Sequence, residues 1–138
     1  MRCRIHFIGI GGIGVSALAR YYLEKGHRVS GSDLASSEIT EALKKNGARI
    51  IIGPHKKENF PKTADLVIYS PAVQKSNPEL KQAYQIQNTK YNIQVLSYPE
   101  ALGELTRQYF TIAVSGTHGK STTTAMLSLI LIKAGLNP

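Results

Sequence analysis

Residues 5–33 read IHFIGIGGIGVSALARYYLEKGHRVSGSD. Residues 5–10 are a short, mostly apolar run and read as a buried strand. Gly9, Gly11, Gly12 and Gly14 then spell GxGGxG. Residues 15–23 carry helical spacing, residues 29–32 read as a second strand, and Asp33 closes it. That order predicts a βαβ unit with a phosphate-binding turn. Glycine permits the tight turn and a close backbone approach, and the start of the helix offers unpaired N–H groups to an anion. An acidic residue at the end of the second strand can bind a ribose or a base edge. A strand–helix turn without a ligand is the plain alternative, and the motif alone does not select a nucleotide.

Working outward, Cys3 and His6 alternate with core positions in the first strand, where a structural role is expected. The first helix is predicted from residues 12–14 to about 25, with Ile13, Ala17, Leu18, Tyr21 and Tyr22 as its apolar face and Gly26 as a C-cap. Residues 34–52 repeat the unit. Ser36 or Ser37 caps a helix running to about Lys45, Asn46-Gly47 ends it, and residues 49–52 are a third strand. Gly53-Pro54 breaks that strand and leaves His55 in a loop just past its end, the edge where open parallel sheets bind ligands. Beside Lys56 and Lys57, His55 can meet a phosphate or a base, or simply belong to a solvated basic loop.

A single helical turn is expected before a turn at residues 59–63, and residues 65–70 are the fourth strand. Ser70-Pro71-Ala72-Val73 follows it. Pro71 holds Ser70 extended, and the small residues permit close ligand approach. Asn77-Pro78 starts a helix over 79–87. Residues 93–96 are a fifth strand, and residues 97–108 a helix with Ala101, Leu102 and Leu105 on one side. Nearly continuous apolar strands alternating with helices predict an α/β fold: a parallel sheet covered by helices on both faces.

The chain has 138 residues, 42% of them hydrophobic, and a formal charge of +8. It is long enough for one domain with a core, or one domain plus part of another, and too apolar for global disorder. The basic surplus is spread along the chain, with its sharpest cluster at Lys56, Lys57 and Lys62. It suits a small anionic ligand. No Arg-rich helix or basic stripe interleaved with aromatics argues for specific nucleic-acid recognition. Cys3 is the single cysteine, so neither an intramolecular disulfide nor a cysteine metal cluster is expected. No apolar run reaches membrane-spanning length, no signal-peptide core precedes the first strand, and a cytoplasmic location is the expectation.

A second motif lies at the other end. Residues 109–115 (YFTIAVS) are predicted as a strand, followed by Gly116-Thr117-His118-Gly119-Lys120-Ser121, three threonines, and a helix continuing over 125–133 with an apolar face. Strand, glycine loop, GKS and helix is a phosphate-loop arrangement. Backbone N–H groups cradle phosphates, Lys120 neutralises them, and Ser121 can present a hydroxyl to Mg²⁺. The longer GxxxxGK[ST] pattern needs glycine at position 114, where this chain has Val114, so the match is to a shorter GxxGKS form. A domain built on this loop needs its own sheet and an acidic metal ligand. The expectation is therefore one N-terminal domain plus the first strand, loop and helix of a truncated ATPase domain.

GIGGIGVSALA at 9–19, SGSD at 30–33, YSPAV at 69–73 and VSGTHGKSTTT at 114–124 together resemble the start of the bacterial Mur ligases. The resemblance spans essentially the whole chain. GTHGKSTTT is similar to the loop of that superfamily, and GIGGIG with SGSD points to the member that joins L-alanine to UDP-N-acetylmuramate. A related ligase that recycles murein peptides shares the loop but resembles the first turn less well. The resemblance implies a Rossmann-like UDP-sugar-binding domain over residues 1–107 and the start of a central ATP- and Mg²⁺-binding domain over residues 108–138. It implies a cytoplasmic enzyme of peptidoglycan precursor synthesis, in which the muramoyl carboxylate is phosphorylated and L-alanine attacks the acyl phosphate. This chain by itself is expected to be inactive.

Residue by residue, the resemblance implies that Gly11, Gly12, Ile13 and Gly14 lie at the UDP pyrophosphate and Asp33 near the nucleoside. It sets His55, Ser70, Pro71 and Ala72 at the uridine end. Gly116, Thr117, His118, Gly119, Lys120, Ser121 and Thr122 would form the ATP loop, with Lys120 as the catalytic phosphate lysine and Ser121 as the metal hydroxyl. One departure is Tyr98-Pro99-Glu100, where the family often has Arg-Ala-Glu. The competing functions are a nicotinamide-dependent dehydrogenase, which leaves GTHGKSTTT unexplained, a generic phosphate-loop NTPase, which explains that motif alone, and a non-enzymatic nucleotide-binding module.

Overall fold

The computed structural model describes residues 2–61, 63–89 and 93–138; Lys62 of the basic cluster lies outside the described residues. The chain divides into two compact units, Met1–Leu105 and Thr106–Pro138. The first carries β1 (Arg4–Ile8), α1 (Ile13–Glu24), β2 (Arg28–Asp33), α2 (Glu38–Lys45) and β3 (Arg49–Ile52). A single 3-10 turn (Lys57–Asn59) leads to β4 (Leu66–Tyr69), α3 (Pro78–Gln87), β5 (Gln94–Ser97) and α4 (Tyr98–Thr106). All pairings are parallel, in the order β3-β2-β1-β4-β5. The chain winds outward from β1 to β3, then returns to the far side of β1 with β4. The strand order therefore reverses between β1 and β4, where such sheets open a crevice at their carboxyl edge.

Side chains alternate along each strand, and both faces are buried. Ile5, Phe7, Val29 and Ile68 pack with Val15, Leu18, Leu43 and Ala101, so α1, α2 and α4 cover one face. Ile8, Val67 and Val95 pack with Leu80, Ala83 and Phe60, so α3 and the 3-10 turn cover the other. Polar residues interrupt that second face. His6 pairs in register with Ser30, and Ile8 with Ser32, which puts His6, Ser30 and Ser32 together beneath α3.

Local signals place the helix ends. Ser37 caps α2 and Thr40 answers it in a reciprocal capping box, while Asn77 accepts from the N–H groups of Glu79 and Leu80 ahead of Pro78. Glu100 accepts from both the N–H and the hydroxyl of Ser97 at the start of α4.

Four expectations are corrected. Ile13 is 85% exposed and Ala17 is exposed; they share the solvent side of α1 with Arg20, and the buried face is Val15, Leu18 and Ala19. Leu102 also emerges on the open side of α4, leaving Ala101 buried with Leu105 packed partly against the core. Residues 109–115 form no strand. A strand needs a neighbour to take up its N–H and C=O groups, and none of the described residues of this unit offers one. The second unit contains instead α5 (Lys120–Lys133), with no buried residue. Met126, Leu129, Ile130 and Ile132 are each more than half exposed, so the helix is apolar around its circumference rather than on one face. Among the described residues, no helix is long and apolar enough to cross a membrane.

Candidate functional site

β1 ends in a turn that stays tied to β2. The N–H groups of Gly9 and Ile10 both donate to the Ser32 carbonyl, at 2.9 and 3.1 Å. Gly9 has φ 77°, in the left-handed region that favours glycine, and a Cβ there would meet Ser70 Cβ at 3.0 Å. The Gly11 N–H donates to Asp33 Oδ2 at 2.7 Å. Gly12 caps α1 without a side-chain hydrogen bond, and the first turn of α1 contains no acidic residue. The positive end of this twelve-residue helix is thus free of any carboxylate of its own. Gly14 has a different task. A Cβ there would lie 2.7 Å from the Tyr98 ring, so Gly14 lets the start of α4 pack against α1. Tyr98, at the departure from the family pattern, acts by packing at this point.

A cavity of about 440 Å³ opens beside this turn at the carboxyl ends of the strands. Gly9 and Gly12 line it from the β1 end, Asp33 and Leu34 from β2, His55 from beyond β3, and Ser70 from beyond β4. Of the expected substrate residues, Gly12, Asp33, His55, Ser70 and Ala72 meet here. Gly11, Ile13, Gly14 and Pro71 do not line the cavity: the first is occupied with Asp33, Gly14 lies under Tyr98, and Ile13 and Pro71 are exposed. The loop before α3 adds Val73, Gln74, Ser76 and Asn77.

Behind His55 lies a buried polar cluster organised by Glu79, in the first turn of α3. Its Oε1 is 2.6 Å from His6 Nε2, and its Oε2 is 2.7 Å from Ser32 Oγ and 2.8 Å from His55 Nδ1. His6 Nδ1 lies 2.9 Å from Ser30 Oγ. Glu79 and His6 are fully buried, and the His55 side chain is 9% exposed. Burial pushes the Glu79 carboxyl upward, but the hydrogen bonds from His6, Ser32 and His55 outweigh it and hold the group below the usual carboxylate range. No buried side-chain polar atom among the described residues lacks a partner. Sequence reasoning missed Glu79 because an acidic residue in a first helical turn ordinarily reads as a solvated partner of the helix dipole. The available signal was the alternation of His6, Ser30 and Ser32, which puts three polar groups on one buried face.

The second unit holds the GTHGKS loop. Gly116 and Gly119 have φ 151° and 76°, and Gly119 is the N-cap of α5. Lys120 Nζ donates to the Gly116 carbonyl at 2.7 Å. A loop of backbone N–H groups opening into a helix, with one lysine folded over it, fits a polyphosphate. Ser121 offers a hydroxyl for Mg²⁺, but residues 106–138 contain no Asp or Glu, so a carboxylate ligand is not in this unit. Among the described residues, no group of three or more His, Cys, Asp or Glu could hold a metal.

A family model described as the Mur ligase family, catalytic domain, matches residues 4–110. UDP-N-acetylmuramate–L-alanine ligase of Acetivibrio thermocellus is 50% identical over 135 residues, which is 97% of this chain and 27% of that protein. Among solved structures, the UDP-N-acetylmuramate:L-alanyl-gamma-D-glutamyl-meso-diaminopimelate ligase from Neisseria meningitides superposes with a TM-score of 0.85 at 26% identity, over 98% of this chain and 41% of that one. A murein peptide ligase from Psychrobacter arcticus gives 0.81 at 32% identity, over 96% and 27%. The chain spans about 27% of the length of the curated relative. A glycine turn at the sheet's switch point, a GTHGKS loop opening a second unit, and these likenesses agree: the chain belongs to the Mur ligase family.

Proposed function

We propose that this chain is the UDP-substrate-binding end of an ATP-dependent ligase that joins L-alanine to UDP-N-acetylmuramate in peptidoglycan precursor synthesis. The observation that carries the reading is the cavity at the carboxyl edge of the sheet, bounded by the bare N-terminus of α1, Asp33, His55 and Ser70. The 50% identity to an L-alanine ligase, against 26–32% to the murein peptide ligases, favours L-alanine over the recycling reaction. The turn at Gly12 and the start of α1 receive the pyrophosphate. Asp33 braces that turn through Gly11, and His55, Ser70 and Ala72 border the uridine. Gly116, Gly119, Lys120, Ser121 and Thr122 hold the ATP phosphates, with Ser121 as one Mg²⁺ ligand. Bound ATP supplies the phosphoryl group that activates the muramoyl carboxylate, and Lys120 offsets charge at its phosphates. The location proposed is the cytoplasm.

The test is a calorimetric titration of the chain with UDP-N-acetylmuramate, UDP, NAD and ATP. The expected result is binding of both uridine ligands and weaker or no binding of NAD. Preference for NAD would refute the proposal.

A further inference from the structure

Glu79 does not line the cavity, yet it determines what the cavity offers. An ionised carboxylate has only lone pairs, so each of its partners must donate: Ser32 through its hydroxyl, His6 through Nε2 and His55 through Nδ1. Ser32 Oγ also lies 3.1 Å from His55 Nδ1. With its hydrogen committed to Glu79, that hydroxyl offers the ring only lone pairs, which again requires a proton on Nδ1. A neutral imidazole carrying its proton on Nδ1 has a bare Nε2. His55 Nε2 has no partner among the described residues, and the ring borders the cavity.

We infer that Glu79 is a positioning residue that fixes His55 as the Nδ1–H tautomer, so that the cavity presents a bare imidazole nitrogen and selects its nucleoside by a hydrogen-bond donor. This rests on the nucleotide reading given above. A bare ring nitrogen accepts from a base N–H or a sugar hydroxyl and has nothing to donate to a phosphate oxygen. His55 therefore belongs to the nucleoside end, and the pyrophosphate is left to the turn at Gly12. Three donors on one carboxylate, packed between the sheet and α3, hold the ring against reorientation when a ligand enters.

The experiment combines long-range ¹H–¹⁵N spectra of the His55 ring at about pH 8, above the ordinary histidine range, with titrations of the chain by UDP, 3-methyl-UDP and 2′-deoxy-UDP. No binding of UDP defeats the nucleotide reading and this inference with it; binding of UDP makes the inference separately testable. The expected spectrum has the proton on Nδ1. One analogue should bind about tenfold more weakly than UDP, the methylated one if the base donates and the deoxy one if the ribose does. That discrimination should vanish in His55→Asn, whose amide can still donate to Glu79 but does not extend to the Nε2 position. In Glu79→Gln a single amide oxygen replaces two carboxylate oxygens, so one of His6 and His55 must invert its tautomer, and discrimination should be lost only where that ring is His55. A wild-type ring protonated on Nε2, equal binding of all three ligands, both tautomers unchanged in Glu79→Gln, or discrimination lost there with His55 unchanged would each overturn the inference.

Discussion

Gly31→Ala tests how the glycine turn after β1 is seated. Gly31 lies in β2 opposite Phe7 of β1, and Ile10, fully buried, folds back over it. A methyl group at Gly31 would lie 2.7 Å from the Phe7 carbonyl oxygen, 2.8 Å from Ile10 Cδ1 and 3.0 Å from Ile10 Cβ. Rotation of Ile10 relieves only the second contact. The carbonyl and Cβ move only with the backbone, which the Ser32 carbonyl grips through Gly9 and Ile10. Overpacking of this kind costs about 1–3 kcal/mol, and removing a glycine from a strand returns roughly 0.5–1 kcal/mol. The net expectation is a loss centred near about 1 kcal/mol and reaching at most about 2.5 kcal/mol, or roughly 0.5 M in urea midpoint at the centre for an ordinary slope. UDP affinity should weaken as the turn shifts. Gly103→Ala is the control of opposite sign: it lies within α4, and a methyl group there would meet nothing within 4 Å among the described residues outside its own helix backbone, so it should gain about 0.5–1 kcal/mol. A Gly31→Ala protein with wild-type midpoint and UDP affinity would refute the argument.

Asp33→Ala removes the charged acceptor of the Gly11 N–H; a loss of about 1.5–3 kcal/mol is expected by urea unfolding, together with weaker UDP binding by calorimetry. Glu79 is held below the usual carboxylate range by His6, Ser32 and His55 against the opposing effect of burial. Its stabilisation is therefore fully present above the unfolded-chain value near ~4.3 and lost as pH falls through the lower folded value. Urea midpoints taken from about pH 7 to 3 should fall more steeply in the wild type than in Glu79→Gln, and parallel acid limbs would count against it. Lys120→Ala, which removes the amine now folded on the Gly116 carbonyl, should abolish triphosphate-induced amide shifts at residues 116–122 while leaving UDP binding intact. Mixed with UDP-N-acetylmuramate, ATP and L-alanine, the chain is expected to bind without releasing phosphate; ATP- and L-alanine-dependent turnover would contradict this.

Much of the first unit was legible because its signals are local. The apolar run before Gly9, the Ser37 cap, Asn46-Gly47 and Asn77-Pro78 each specify an element or its end within a few residues. The parallel sheet with helices on both faces followed from the repeated strand–helix pattern, whereas the order of its strands came only from the structure. The side of α1 was misjudged because Ile13 and Ala17 are apolar and helically spaced, yet lie on the side shared with Arg20. The cluster at Glu79 depends on residues that are 73, 47 and 24 positions from it, and only the strand register brings them together. Asp33 was expected near the nucleoside; the structure adds a bond to Gly11 that residue type alone does not announce. Residues 109–115 have strand composition without a strand, because pairing depends on a neighbour as well as on propensity.

The seam between β1 and β4 has a consequence for how the molecule acquires its function. Arg4 and Asp65, which meet at that seam, are 61 residues apart, whereas the β1–β2 pairing at His6 and Ser30 spans 24. Chain closure over the longer interval carries the greater entropy loss and belongs to the slower class of folding events. The cavity takes Gly9 from one side of this seam and Ser70 from the other, so it has no counterpart in a half-assembled chain. A uridine nucleotide bound as proposed would therefore discriminate finished molecules from unfinished ones, adding stability that rises with the logarithm of its concentration only after the β1–β4 pairing has formed.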